Sequence, residues 1–321
     1  MAKAIYHWAR DIVQVSLTLF RILIPTLIVI KILEELGVVV WISWLLSPVM
    51  SAVGLPESAA LIWATTMLTN LYAGMVIFFT QAPSEGWTVA QVSVLATMML
   101  LAHNLVIEGR IAQRAGVNLG FTLGLRIGGA LVLGALLNWA YQSGGWLQQP
   151  NVLAWQPDHP QDSSWLGWLQ EQLLNLWYIF LVIAALISLL RLLRWLKVEA
   201  LMSWLLQPLL RLLGIRPQAT SMTIIGMTLG LAYGGGLLIR EAEQGQVNKQ
   251  DVFAAICLLG LCHSLIEDTL LMLALGADLS AILWTRLAFS LAILAWLTRW
   301  AQRRPEPFVE RFLVRSVAKG S

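Results

Sequence analysis

Two short stretches of the chain combine imidazole and carboxylate in surroundings that are otherwise hydrocarbon. Cys262-His263-Ser264-Leu265-Ile266-Glu267-Asp268-Thr269 lies in an apolar segment over 251–275, and Ala102-His103-Asn104-Leu105-Val106-Ile107-Glu108 in another over 88–115. A histidine followed by an acid is suited to holding a polar solute, relaying protons, or ligating a divalent ion. Ionisable groups at membrane depth are costly without partners, so each cluster marks a functional site unless it only glues helices together. His263 is expected about halfway along its helix. Glu267, four residues on, then shares its face, while Asp268 and Glu108 hold the i+5 position of their copies. Asn104 and Ser264 add hydrogen-bonding groups in matching places. The ligand spacing is too loose to indicate a metal centre, and no cofactor is expected.

The segments that must position these residues are membrane-like. Of 321 residues 58% are hydrophobic and only 12% charged, with a mean hydropathy of +0.72. Soluble domains carry about 25% charged residues, so this is the composition of an all-α polytopic membrane protein. Apolar segments run over 11–33, 57–80, 88–115, 119–141, 165–190, 218–241, 251–275 and 279–300. At ~1.5 Å per residue each is long enough for a hydrocarbon core of about 30 Å. Two shorter stretches, 38–53 and 198–213, are open to three readings: short tilted spans, re-entrant helices or interfacial helices. Cys257 and Cys262 read as inert membrane thiols, and His7 and His159 as exposed residues. The net charge of +3 is spread over short loops and the C-terminus, which signals topology rather than nucleic-acid binding.

The two clusters belong to a duplication with an offset of 160 residues. In that register Trp44-Leu45-Leu46 matches Trp204-Leu205-Leu206, Pro48 matches Pro208, and Gly54 matches Gly214. His103 likewise matches His263, Gly116 matches Gly276, and Arg126 matches Arg286. With one residue of slip, Tyr72 matches Tyr233 and Pro56 matches Pro217. The expected organisation is a first repeat over 1–142, a polar hinge over 143–164, a second repeat over 165–300 and a basic cytoplasmic tail over 301–321. Counting both short stretches as spans gives about ten helices, five per repeat, with both termini cytoplasmic. The loop around 81–87, the hinge and the turn at 276–278 contain no Lys or Arg, as expected of the outer face. Arg211 and Arg216 are exceptions to that count. An odd number of spans per repeat makes the repeats inverted, the architecture of many secondary transporters.

Each repeat also carries a predicted helix break, at Asn70-Leu71-Tyr72-Ala73-Gly74 and at Tyr233-Gly234-Gly235-Gly236. Unwound backbone there would offer amides and carbonyls to a solute; the same glycines would also serve close helix packing. Folding the last two helices of each repeat about Gly116 or Gly276 sets Arg126 and Arg286 opposite the acids of their own hairpins. Each arginine is therefore expected to form a structural ion pair, leaving one of Glu267 and Asp268 structural.

This matched pair of Gly-interrupted helices, each followed by a His-containing helix, resembles the nucleoside-recognition or "Gate" domain family over about 20–140 and 175–300. That family's domain occurs in concentrative nucleoside transporters, in the membrane part of bacterial ferrous-iron transporters, and in paired spore-maturation membrane proteins. The resemblance implies two Gate modules and a small-solute site built from Asn70, Tyr72, Gly74, His103, Asn104 and Glu108 with Tyr233, Gly234, Gly235, Gly236, His263, Ser264, Glu267 and Asp268. The chain contains no GTPase domain and no cysteine in its glycine-interrupted helices, which argues against a self-contained iron transporter. The expected activity is alternating-access transport of a small polar or ionic solute across the inner membrane. The alternative is a non-transporting subunit, as a homodimer or paired with another membrane protein. No Ser/His/Asp or HExxH arrangement supports an enzyme.

Overall fold

In the computed structural model the described residues are 2–81, 86–152, 165–213 and 215–315. Most of the predicted hinge, Gly214 of the repeat register and the end of the basic tail lie outside them. The first repeat runs α1 (Ala2–Glu35), α2 (Val38–Ala52), α3 (Ala59–Leu68), α4 (Leu71–Gln81), α5 (Val89–Leu101), α6 (Leu105–Arg114) and α7 (Leu119–Gly144). The second repeats the series as α8 (Trp165–Trp195), α9 (Val198–Leu212), α10 (Pro217–Leu229), α11 (Leu231–Glu243), α12 (Lys249–Leu261), α13 (Glu267–Ala274) and α14 (Arg286–Gln302). A π-helical turn, Ser280–Thr285, leads into α14, and α15 (Glu306–Phe312) follows it. The described residues form no strand, only isolated bridges such as Val117 with Val314.

Among the described residues four helical stretches are long and apolar enough to cross a bilayer: Val89–Arg114 (α5 with α6), Leu119–Gly144, Gln172–Leu193 and Ser280–Gln302. The protein is therefore a helical membrane protein. α5 and α12 are apolar around their whole circumference and form the centre of the packed core. α7 buries a single seam, Thr122, Arg126, Ala130, Leu133, Gly134, Leu137 and Tyr141, and leaves its other faces outward. α14 buries Arg286, Ser290, Leu294 and Leu297, the same stripe 160 residues on. The duplication thus extends to which face of α7 and α14 is buried.

Side-chain caps set several helix starts. Thr88 and Gln91 form a reciprocal capping box on α5, Asn118 Oδ1 accepts from the Phe121 amide, and Asn248 Oδ1 from the Asp251 amide. α1 and α8 run antiparallel: Trp8 near the start of α1 donates to Ser188 late in α8 at 3.1 Å, while Leu23 and Leu27 cluster with Ile179 and Ile183.

The predicted breaks exist but fall earlier, and their geometry differs from the expectation. α3 and α4 part at Thr69 and Asn70, and α10 and α11 at Gly230 alone. A Cβ on Gly74 would strike Thr66, and one on Gly234 would strike the backbone of Gly226. Residues eight apart along one helix are about 12 Å apart, so each pair of half-helices folds back into a hairpin. Gly234, Gly235 and Gly236 are helical, and Gly234 is needed for that close approach; the triple glycine does not unwind. α2 and α9, 15 residues each, are too short for an upright span and expose Trp41, Trp44 and Trp204.

The predicted tail is folded over much of its length. The Asn118 amide donates to the Leu313 carbonyl and the Arg315 amide to the Gly116 carbonyl, while Lys249 pairs with Glu306 and Glu310.

Candidate functional site

The helix that was expected to carry His263 through its middle stops just before it. α12 ends at Leu261 and α13 begins at Glu267, so the i+4 face shared by His263 and Glu267 does not exist. α5 and α6 part in the same way around His103. Asn104 and Ser264 are left-handed at these breaks, with φ of 49° and 46°, a conformation that costs non-glycine residues energy and collects at functional sites. The freed backbone is satisfied by the hairpins. The Asn104 amide donates to the Thr66 carbonyl at 3.0 Å; in the second repeat the Ser264 and Leu265 amides donate to the carbonyls of Gly226 and Met227. Each hairpin therefore holds open the break beside it.

The two breaks meet. His103 Nε2 and His263 Nε2 are 3.0 Å apart, although 160 residues separate them. Glu108 Oε1 is 3.2 Å from His263 Nε2 and 3.5 Å from His103 Nε2, and Asp268 Oδ2 is 3.9 Å from His103 Nε2. Glu108 with His263 and Asp268 with His103 are one contact made twice, the reciprocal pattern of a two-fold relation between the repeats. His103 and His263 are 5% and 2% exposed, so the cluster is closed to solvent.

The arginines split. Arg126 donates to Glu108 Oε2 at 2.5 Å and through Nε to the Leu101 carbonyl, as the expected ion pair requires. Arg286 makes no such pair among the described residues. It donates to the carbonyls of Leu261 and His263 at 3.1 and 3.0 Å and leaves Nη1 without a partner. Its guanidinium is occupied by the carbonyls that the helix break exposes. Asp268 Oδ2 is buried and has no hydrogen-bond partner.

The remaining predicted site residues are divided. Tyr72 crosses between repeats and donates to Glu267 Oε1 at 3.3 Å, which makes Glu267 the strut and Asp268 the inward-facing acid. Asn70 Oδ1 accepts from the Ala73 amide at 3.0 Å and caps α4. Gly74, Gly234 and Gly235 line helix contacts rather than the cluster, and Gly236 faces open space. The side chain of Tyr233 lies outside the described residues. Sequence reasoning gave no role to Thr66, Gly226 and Gly230, which shape the hairpins; the signal available for Gly230 was its place opposite Asn70 in the 160-residue register.

Over 300 residues the chain is 32% identical to "uncharacterized membrane protein YvoD" of Bacillus subtilis (strain 168), covering 91% of this chain and 93% of that protein. The chain belongs to that family of membrane proteins. No protein-family model and no solved structure matches it. For a member of a membrane-protein family the medium around the cluster is lipid and packed helix. Two imidazoles, two carboxylates and two guanidiniums are gathered there; Arg126 compensates Glu108 within the first repeat, and the histidines and acids meet across the boundary between the repeats.

Proposed function

We propose that the protein moves a small polar or ionic solute across the inner membrane by alternating access, through a site between two inverted repeats. The observation that carries this reading is the meeting of two helix breaks, each braced by a hairpin, in one buried polar cluster. Broken helices at a repeat interface are where secondary transporters hold their solutes. The Gate-like motifs point the same way, toward a solute of nucleoside-like or ionic character.

The topology we infer differs from ten spans. Each repeat crosses three times, by α1, α5–α6 and α7 and by α8, α12–α13 and α14. The α3–α4 and α10–α11 hairpins re-enter, and α2 and α9 lie at the interface with their tryptophans at headgroup level. Three crossings per repeat still invert the halves, in keeping with the antiparallel α1 and α8. Both termini are then cytoplasmic, and Arg211 and Arg216 move to the cytoplasmic side with Arg110, Arg114, Arg191, Arg194, Arg240 and Lys249. Lys31, at the outer end of α1, pairs with Glu35 at 3.0 Å.

Alternating access is tested without knowing the solute. In a Cys257→Ser/Cys262→Ser background, a cysteine replacing Asn104 or Ser264 is expected to react with a membrane-impermeant thiol reagent from either face of sealed vesicles. Protection from both faces, together with a membrane protein that co-purifies in fixed ratio, would instead identify a non-transporting subunit.

A further inference from the structure

The hydrogen bonds of His103 and His263 leave no choice of tautomer. A carbonyl oxygen only accepts, so Nδ1 carries the proton in each ring, His103 donating to Met99 at 3.0 Å and His263 to Leu259 at 2.6 Å. In the neutral rings both Nε2 atoms are then bare lone pairs, and they face each other at 3.0 Å. Glu108 Oε1 and Asp268 Oδ2 point at the same place. Four acceptors converging in a buried site repel one another unless positive charge sits among them. A proton shared by the two nitrogens would answer for them and for Glu108 Oε1 but leave Asp268 Oδ2 unexplained.

We propose that this cluster binds one divalent cation of the zinc class through His103 Nε2, His263 Nε2, Glu108 Oε1 and Asp268 Oδ2, fastening one repeat to the other. Ligand atoms held at ~2.0–2.1 Å around a tetrahedral ion stand about 3.3 Å from each other. Four of the six separations among these donors are 3.0, 3.2, 3.5 and 3.9 Å, the longest of them to Asp268, which must move inward to complete the set. The donor atoms of His103, His263 and Asp268 all lie within 4.8 Å of one another.

The outer partners are those a metal site needs. Each imidazole is fixed by Nδ1–H to a backbone carbonyl, and Glu108 is held through its other oxygen by Arg126. Imidazole with carboxylate favours zinc, cobalt or nickel over magnesium and calcium. Arg126 offsets Glu108 before any ion enters, which weakens binding and makes the ion exchangeable by a chelator. This inference stands apart from transport: the cation is a clamp between repeats whether or not a solute passes.

The test uses the full chain, purified in detergent, stripped with EDTA and dialysed against Co2+. One cobalt per chain is expected, with the intense visible absorption of a tetrahedral centre, displaced by Zn2+ and not by Mg2+. Cobalt binding should be lost in His103→Gln/His263→Gln and weakened at least tenfold in Asp268→Asn. Failure of the wild-type chain to take up stoichiometric cobalt, a weak octahedral-type spectrum, or full binding by the double-histidine variant overturns the proposal. The wild-type spectrum decides even where that variant does not fold. Cobalt binding without two-sided cysteine access overturns the transport reading alone, and two-sided access without cobalt binding overturns the metal site alone.

Discussion

The two repeats share a frame and differ in how they finish it. Both have a hairpin, a helix broken at a histidine, and a seam helix with a buried arginine, all in one 160-residue register. In the first repeat, Asn70 closes the hairpin turn with its side chain and Arg126 neutralises Glu108. In the second, Gly230 occupies the position of Asn70 with φ 100° and ψ 161°, and Arg286 is spent on carbonyls. A π-helical turn precedes Arg286 where the first repeat has regular helix. The consequence is an asymmetric site: one carboxylate is anchored by a guanidinium, and its counterpart Asp268 keeps an oxygen free. Duplication supplied the convergence of the two histidines, and divergence supplied a free ligand.

The difference between the arginines should show most strongly in stability. Arg126→Met leaves the buried carboxylate of Glu108 without its counter-ion, a loss of about 3–5 kcal/mol for a broken buried pair. Arg286→Met leaves two carbonyls short of a donor and is expected to cost about 1–3 kcal/mol. Thermal unfolding in a common detergent checks the order, Arg126→Met having the lower Tm. Equal or reversed losses would mean that Arg286 neutralises Asp268 after all and that the site is symmetric.

The hairpin turns give the next contrast. Gly230 occupies a region of backbone space essentially reserved for glycine, and an added Cβ would stand 3.0 Å from Ser264 Oγ. Gly230→Ala should cost about 1–3 kcal/mol in strain and disturb the break that carries His263. Asn70→Ala removes one helix cap, worth about 1 kcal/mol, and leaves the backbone at ease. In the cysteine-access experiment Gly230→Ala should therefore alter labelling at Ser264, whereas Asn70→Ala should leave labelling at Asn104 close to the parent level.

How much of this was legible follows from the kind of information a sequence holds. The duplication and the pairing of Arg126 with Glu108 were readable, because rare residues keep register through apolar segments and a hairpin fold sets their depth. The break at His263 was not: 251–275 reads as one continuous spanning segment, and its interruption depends on hydrogen bonds to Gly226 and Met227 from another hairpin. Glycine misled in the other direction. Gly234 in the triple glycine marks a place where backbones touch, while Gly230 alone makes the turn. Nor could linear spacing reveal the imidazole pair, since its members come from different repeats and meet only by the two-fold relation between them.

The smallest expected effect bears on which acid is the strut. Tyr72 belongs to the first repeat and Glu267 to the second, so their 3.3 Å hydrogen bond is a tie across the same boundary as the histidine cluster. Tyr72→Phe keeps the ring and removes that tie, at a cost of about 1 kcal/mol for one hydrogen bond. Glu267→Gln preserves an acceptor for the phenol and should be tolerated as well. If Asp268 is the inward acid, neither variant changes cobalt stoichiometry, and Asp268→Asn alone weakens binding. A tenfold loss of cobalt affinity in Glu267→Gln would exchange the roles of the two acids, which are adjacent in sequence but face different partners because α13 begins between the break and the seam.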